Sequence, residues 1–263
     1  MVRKYESMDK KAKSAAESAG SVVIEQPKSF MVALEVVGLA ALIQNNFSQK
    51  AMEQMLRKHM GLSVQREAKV PAKCIEDATI RNVAEQVCIP PTAFKKAILT
   101  ASTQTKGLRK TQLRTQLYID GQSIPIKYKE MIPRLDMVRT SGMTRTPDVR
   151  FRPMFTDWSA RIVITFADTI AVQTVVDLLN RAGKVGVGEW RPEKDGVFGT
   201  FVVARHIDDP QELAEVREAC SAALRPLVIP EWAMNAEISP QLLARIAGGK
   251  DDESEDAEQP EDA

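Results

Sequence analysis

The sequence predicts an α+β fold: a sheet with helices packed on one face. Two observations predict it. Apolar, strand-like runs alternate with amphipathic helical stretches along a chain of 263 residues, giving strand–helix–strand and strand–helix–loop–strand units. A glycine-rich stretch, Lys184–Val203, then joins the last sheet-forming helix to the last apolar strand.

In chain order, residues 1–28 mix Lys, Ser, Ala and Glu with few large apolar groups and read as a flexible arm. Phe30–Gly38 is a strand that continues through Leu39–Ile43 to the polar break Gln44–Asn46. Ser48 caps a helix through Met52, Met55 and Leu56 that stops at Gly61, with His59 in its last turn. Ser63–Ala72 reads as a loop, and Cys74–Val87 fits strand and helix equally. In Ile89–Thr100 a proline stands at the helix entry, Phe94, Ala97, Ile98 and Ala101 share one face, and Lys95 and Lys96 fall on the exposed side. A basic connection follows, carrying Lys106, Arg109, Lys110 and Arg114. Leu113–Tyr118 and Ser123–Tyr128 flank Asp120-Gly121, the turn chemistry of a β-hairpin.

Met131–Pro153 holds Arg134, Arg139, Arg145, Arg150 and Arg152, three prolines, and only Asp136 and Asp148 as carboxylates. An irregular insert of this length inside a compact domain points to function, and arginine forks suit phosphate oxygens. Trp158–Phe166 is again a strand. Ala171–Ala182 sets Val172, Val175, Val176 and Leu179 at helical spacing, with Gly183 as C-cap. Val197–Val203 reads as strand behind the Asp195-Gly196 turn, and Asp209–Leu224 as a long helix. Ser239–Ile246 reads as a short helix opened by Pro240. The expected divisions are the arm 1–28, a domain 29–205 with an insert 106–156, a helical C-terminal extension 206–249 and a disordered acidic tail 250–263.

The glycine stretch admits two readings. Gly186, Gly188, Gly196 and Gly199 serve a tight helix-to-strand connection, or they lay bare backbone against a phosphate chain. In the second reading Trp190 stacks on a base while Arg191 and Lys194 supply charge; in the first it is a core anchor. A nucleotide cofactor is not expected. Gly186-Val-Gly188-Glu-Trp-Arg191 lacks the third glycine of a dinucleotide fingerprint and follows a helix, and the chain has no Gly-Lys-Ser or Gly-Lys-Thr.

The formal charge of +1 conceals an asymmetry. Asp251–Ala263 carries eight carboxylates and no cation; setting these aside leaves 27 acidic residues of 35 against 36 basic ones, a body of about +9. A basic body implies a polyanionic partner, for which the tail can compete or dock other nucleoprotein subunits. Cys74, Cys88 and Cys220 are odd in number and lack metal-ligand spacing, implying a reducing, cytoplasmic setting and no metal site. No apolar run reaches 18 residues, so no membrane span is expected.

Two segments resemble the RAMP superfamily, the ferredoxin-like RNA-binding proteins of CRISPR systems, and within it the backbone subunits that coat guide RNA. Gly186-Val-Gly188 followed by Gly196-Val-Phe-Gly199-Thr-Phe is similar to the glycine-rich loop between that family's last helix and last strand. Ile89-Pro-Pro-Thr-Ala-Phe-Lys-Lys-Ala-Ile98 resembles the Ile-Pro-Gly-Ser-Ser-Leu-Lys-Gly segment that opens a helix against the RNA. Gly-Glu-Trp-Arg-Pro-Glu-Lys-x-Gly-x-Phe-Gly is also similar to a string in uncharacterised phage-encoded proteins. That second resemblance spans roughly Val32 to Val203. The RAMP resemblance implies a modified RNA-recognition-motif palm, with a hairpin and an arginine-rich insert as thumb and a helical C-terminal extension. It also implies a non-enzymatic, phage- or mobile-element-borne protein that polymerises on single-stranded nucleic acid, RNA ahead of DNA. The alternatives are a phage recombination or replication factor, an inhibitor mimicking a CRISPR subunit, and a RAMP-type RNA endonuclease. For the last, only His59, His206 or the turn aspartates Asp120, Asp136 and Asp148 are on hand as catalysts.

Overall fold

The computed structural model describes residues 28–64, 68–105, 108–139 and 146–234. Residues 1–27 of the arm, Lys106, Arg145, the helix expected at 239–246 and the acidic tail lie outside them.

The main sheet is antiparallel, in the order β3 (Cys88–Ile89), β5 (Ile124–Lys127), β8 (Ser159–Ala167), β1 (Ser29–Gly38), β9 (Phe201–His206), with β4 (Leu117–Ile119) also paired to β8. Leu34 stands opposite Ile162 and Val36 opposite both Ala160 and Val203, so these side chains share a face. Helices α3 (Pro91–Ser102) and α5 (Val172–Val185) cover that face. Phe94 of α3 meets Phe201 edge-on at 5.4 Å, and Val175, Leu178, Leu179 and Ala182 of α5 are buried. The four-residue apolar face anticipated on α3 is the buried one.

The opposite face is not bare. Glu35, Arg161 and Arg205 lie side by side there, and Glu212 of α6 (Pro210–Ser221) bonds both arginines while Val216 and Cys220 are buried beneath it. Helices therefore lie on both faces, correcting the one-sided arrangement expected. The charges on that face, Glu35 and Arg161, looked like a solvated side until Glu212 was seen to cover them.

The first strand stops at Gly38 rather than running to Ile43. A Cβ on Gly38 would sit 2.2 Å from Nε1 of Trp158, and that indole donates to the Ala40 carbonyl at 2.9 Å. The chain turns around the ring, and β2 (Leu42–Ile43) joins a second sheet, β2–β7–β6. There the supposedly irregular insert is a regular ten-residue ribbon, β6 (Glu130–Arg139) paired to β7 (Pro147–Thr156). Its prolines had hidden it. Pro133 faces Pro153, whose carbonyl accepts from Gln44 on the β2 side, so this is a non-hydrogen-bonded pair of the ribbon and neither ring removes a bond between β6 and β7.

The predicted hairpin is also corrected. β4 and β5 do not pair with each other; both run along β8 as one interrupted strand, with β3 on the outer side of β5. Asp120-Gly121 bulges out between them, held by Thr165 Oγ1 donating to Asp120 at 2.8 Å and by Gln122 N donating to Cys220 O at 2.8 Å.

Elsewhere, α1 (Gln49–His59) starts on Ser48 as expected. Pro71 opens a helix, α2 (Pro71–Ala78), inside the expected loop and the ambiguous stretch, and the basic connection winds into α4 (Lys110–Gln116) around buried Leu113. Gly183 lies within α5, where a Cβ would meet the Phe201 carbonyl oxygen at 1.9 Å; Gly186 is the cap. A short helix, α7 (Glu231–Met234), ends the described chain.

Candidate nucleic-acid interface

The glycine loop folds onto the protein itself. Val187 N donates to Gly199 O, Gly199 N to Ala41 O and Glu189 N to Ile43 O, at 2.8–2.9 Å. A Cβ would lie 2.5 Å from Ile43 O at Gly188, 1.8 Å from Val187 O at Gly199 and 1.7 Å from Trp190 O at Gly196. Gly186, Gly188 and Gly199 also take positive φ. The glycines are thus required by close approach to protein backbone, and Gly186 and Gly199 are buried, which corrects their placement against phosphates.

Trp190 is not a core anchor: it stays 37% exposed, whereas Trp158 is fully buried. Arg191 has no fork to offer a phosphate. Its Nε and Nη2 donate to Glu193 Oε2 at 2.8 and 2.6 Å, and its Nη1 to the Gly188 carbonyl at 2.7 Å. Partial burial pushes the Glu193 carboxyl up, but hydrogen bonds from Arg191 and Thr100 and the charges of Arg191 and Lys96 outweigh it and hold the pKa below the ordinary value. Lys194 is exposed.

The ribbon arginines divide. Arg152 is 3% exposed and pairs with buried Asp136 at 3.3 Å, so it is structural, against expectation. Arg134 donates to the same carboxylate at 2.7 Å while its guanidinium lies 4.8 Å from the centre of the Phe198 ring, pinning the ribbon to the glycine loop. Arg139 and Arg150 remain exposed toward the ribbon's far end, Arg150 3.8 Å from Asp148.

The stretch from Cys88 to Ile119 contains no carboxylate. The fold gathers it into one layer. Lys95 donates to Arg114 O at 3.0 Å and lies over the Tyr118 ring; Lys96, Arg109, Lys110 and Arg114 are exposed. Helix α5, packed against α3, adds Arg181 and Lys184, which sequence reading missed because cations on the polar side of an amphipathic helix look like any solvated face. Among the described residues of 88–119 and 172–185 there are seven cations and one carboxylate, Asp177. Across the sheet, Ile207–Leu224 carries Asp208, Asp209, Glu212, Glu215 and Glu218 against Arg217 alone. That acidic helix lies over the sheet arginines Arg161 and Arg205, which Glu212 bonds.

At the border of the basic layer lies a cleft of roughly 230 Å³, lined by Ile89, Pro90, Ala93 and Lys96 from the start of α3 and by Gly188 and Glu193 from the glycine loop. The two segments singled out in the sequence, some ninety residues apart, meet there. Neither histidine lines it. Among the described residues no group of three or more His, Cys, Asp or Glu could hold a metal ion, and no helix is long and apolar enough to cross a membrane.

No family model matches the chain, and no curated protein matches it in sequence. Solved structures with partial likeness include a chain of the type III-B Cmr-beta complex bound to cognate target RNA, at 10% identity and a TM-score of 0.44, over 78% of this chain and 66% of that one. Another is Cmr6 from Pyrococcus furiosus, at 9% identity and a TM-score of 0.37, over 68% of this chain and all of the other.

Proposed function

We propose that this protein is a non-enzymatic binder of single-stranded nucleic acid, RNA ahead of DNA, whose copies assemble along the strand. The carrying observation is the strongly basic layer of α3, α4 and α5, seven cations against one carboxylate among the described residues, on a single side of the sheet. The order β1–α3–β4/β5–β8–α5–β9, with strands laid β5-β8-β1-β9, supports the reading of this sheet as a ferredoxin-like palm.

In this reading phosphates track Lys96, Arg109, Lys110 and Arg114, with Lys194, Arg139 and Arg150 extending the path and Lys106 and Arg145 contributing from outside the described residues. Trp190 offers a stacking face, so recognition tolerates any sequence. Competition between matched RNA and DNA oligomers tests it, since an RNA reader uses the 2′-hydroxyl. Preference for DNA transfers the reading to a recombination or replication factor. Lys110→Glu with Arg114→Glu, both on the exposed surface of α4, is expected to abolish binding and leave the circular dichroism spectrum intact.

A further inference from the structure

A second depression adjoins the cleft, and none of its walls belongs to the basic layer. It encloses about 1280 Å³ between the start of α1, helix α2 and the outer half of β7, and it meets the cleft at Asn45, which lines both. That is larger than the several hundred cubic ångströms usual for a small-molecule site.

Its walls carry Lys50, Lys69, Lys73 and Arg150 against Asp77 and Asp148. Asp148 and Lys69 engage each other: Lys69 donates to that carboxylate, the largest cause of its lowered pKa, and to the Val149 carbonyl at 2.8 Å, while Arg150 lies 3.8 Å from Asp148. Between these cations stand two phenyl rings. Phe47 is 46% exposed, between the polar break and Ser48, and Phe151 is half-buried in β7.

We propose that this groove is a second stretch of the nucleic-acid path, in which Lys73 and Arg150 hold phosphates and Phe47 stacks on a base. The inference rests on the nucleic-acid reading and extends it to residues outside the basic layer. Charge alone would also suit the acidic tail Asp251–Ala263 of this same chain. That segment has no aromatic residue, so the exposed ring favours a strand with bases.

Cys74 provides a reporter. It is half-buried and lines the groove, whereas Cys88 and Cys220 are buried, their thiols pushed up to about 11 by burial. The test measures two things on the full chain and on a Phe47→Ala/Lys73→Glu variant: anisotropy with labelled oligouridines of about 4, 8, 12 and 16 nucleotides, and the rate of Cys74 alkylation with and without the longest. In the natural protein affinity is expected to rise with length and the long oligomer to slow alkylation. The variant is expected to bind the shortest oligomer unchanged and the longest on the order of tenfold more weakly, the size of one lost stack, with no protection of Cys74. Equal affinity of both proteins at every length, with Cys74 unprotected in each, overturns the groove assignment and leaves the basic layer standing. Failure of both proteins to bind any oligomer overturns the nucleic-acid reading itself. A synthetic peptide of residues 251–263 that protects Cys74 in protein lacking its tail, where oligomers do not, gives the groove to the tail. Should the double variant melt early, Phe47→Leu alone, which removes the stacking ring at an exposed position, carries the same comparison.

Discussion

A methyl group on Gly199 would press to 1.8 Å from the Val187 carbonyl oxygen at a φ of +68°, so neither the space nor the backbone tolerates a side chain. Gly199→Ala is expected to lower stability by on the order of 2–6 kcal/mol, the strain and the overpacking together, as read by denaturant unfolding. Binding per folded molecule should stay unchanged; a stable variant that has lost binding would return this glycine to the interface. The tryptophans part in the same way. Trp158→Ala removes a fully buried ring and strands the Ala40 carbonyl, with an expected loss of about 3–5 kcal/mol. Trp190→Ala is expected to leave the melting temperature nearly unchanged and to remove the quenching of emission on adding oligomer, measured against a Trp190→Phe control. Unchanged quenching in Trp190→Ala contradicts a stacking role.

Among elements, the glycine loop is held by one carboxylate with a pH signature. The folded pKa of Glu193 lies below its ordinary value of 4.5. Its contribution is therefore complete above the unfolded value and lost as pH falls through the folded one. Acidification below pH 4.5 is expected to shift Trp190 emission before the sheet melts, and Glu193→Gln to abolish that early transition. An identical transition in the variant would place its origin elsewhere. Strands β1 and β8 and the helices α1, α3, α5 and α6 were legible because each shows its own period, the helices with start signals at Ser48, Pro91 and Asp209. The ribbon was not, since Pro133 and Pro153 read as breakers until the register that pairs them is known. Nor was the fate of Asp120-Gly121: a hairpin turn and a bulge use the same residues, and only the bonds to Thr165 and Cys220 choose between them. At the site, the cations of 95–114 could be read because no carboxylate interrupts them, while Arg152 and Arg191 could not be discounted before Asp136 and Glu193 were seen beside them.

Over the whole molecule, charge is sorted between the helices: basic on the α3–α5 layer, acidic along α6, with a tail of eight carboxylates in the sequence beyond. Removing Asp251–Ala263 is expected to tighten nucleic-acid binding most at low ionic strength, where screening is weakest. Identical affinities there would leave the tail without a competing role. The most direct measurement is the affinity for a labelled single strand across a salt series. Each phosphate neutralised contributes about −0.7 to the slope of log affinity against log salt, so contact with about five phosphates predicts a slope near −3.5. Lys110→Glu with Arg114→Glu should bring that slope toward zero. An affinity that does not change with salt, or the same steep slope in the reversed variant, would contradict an interface on the basic layer.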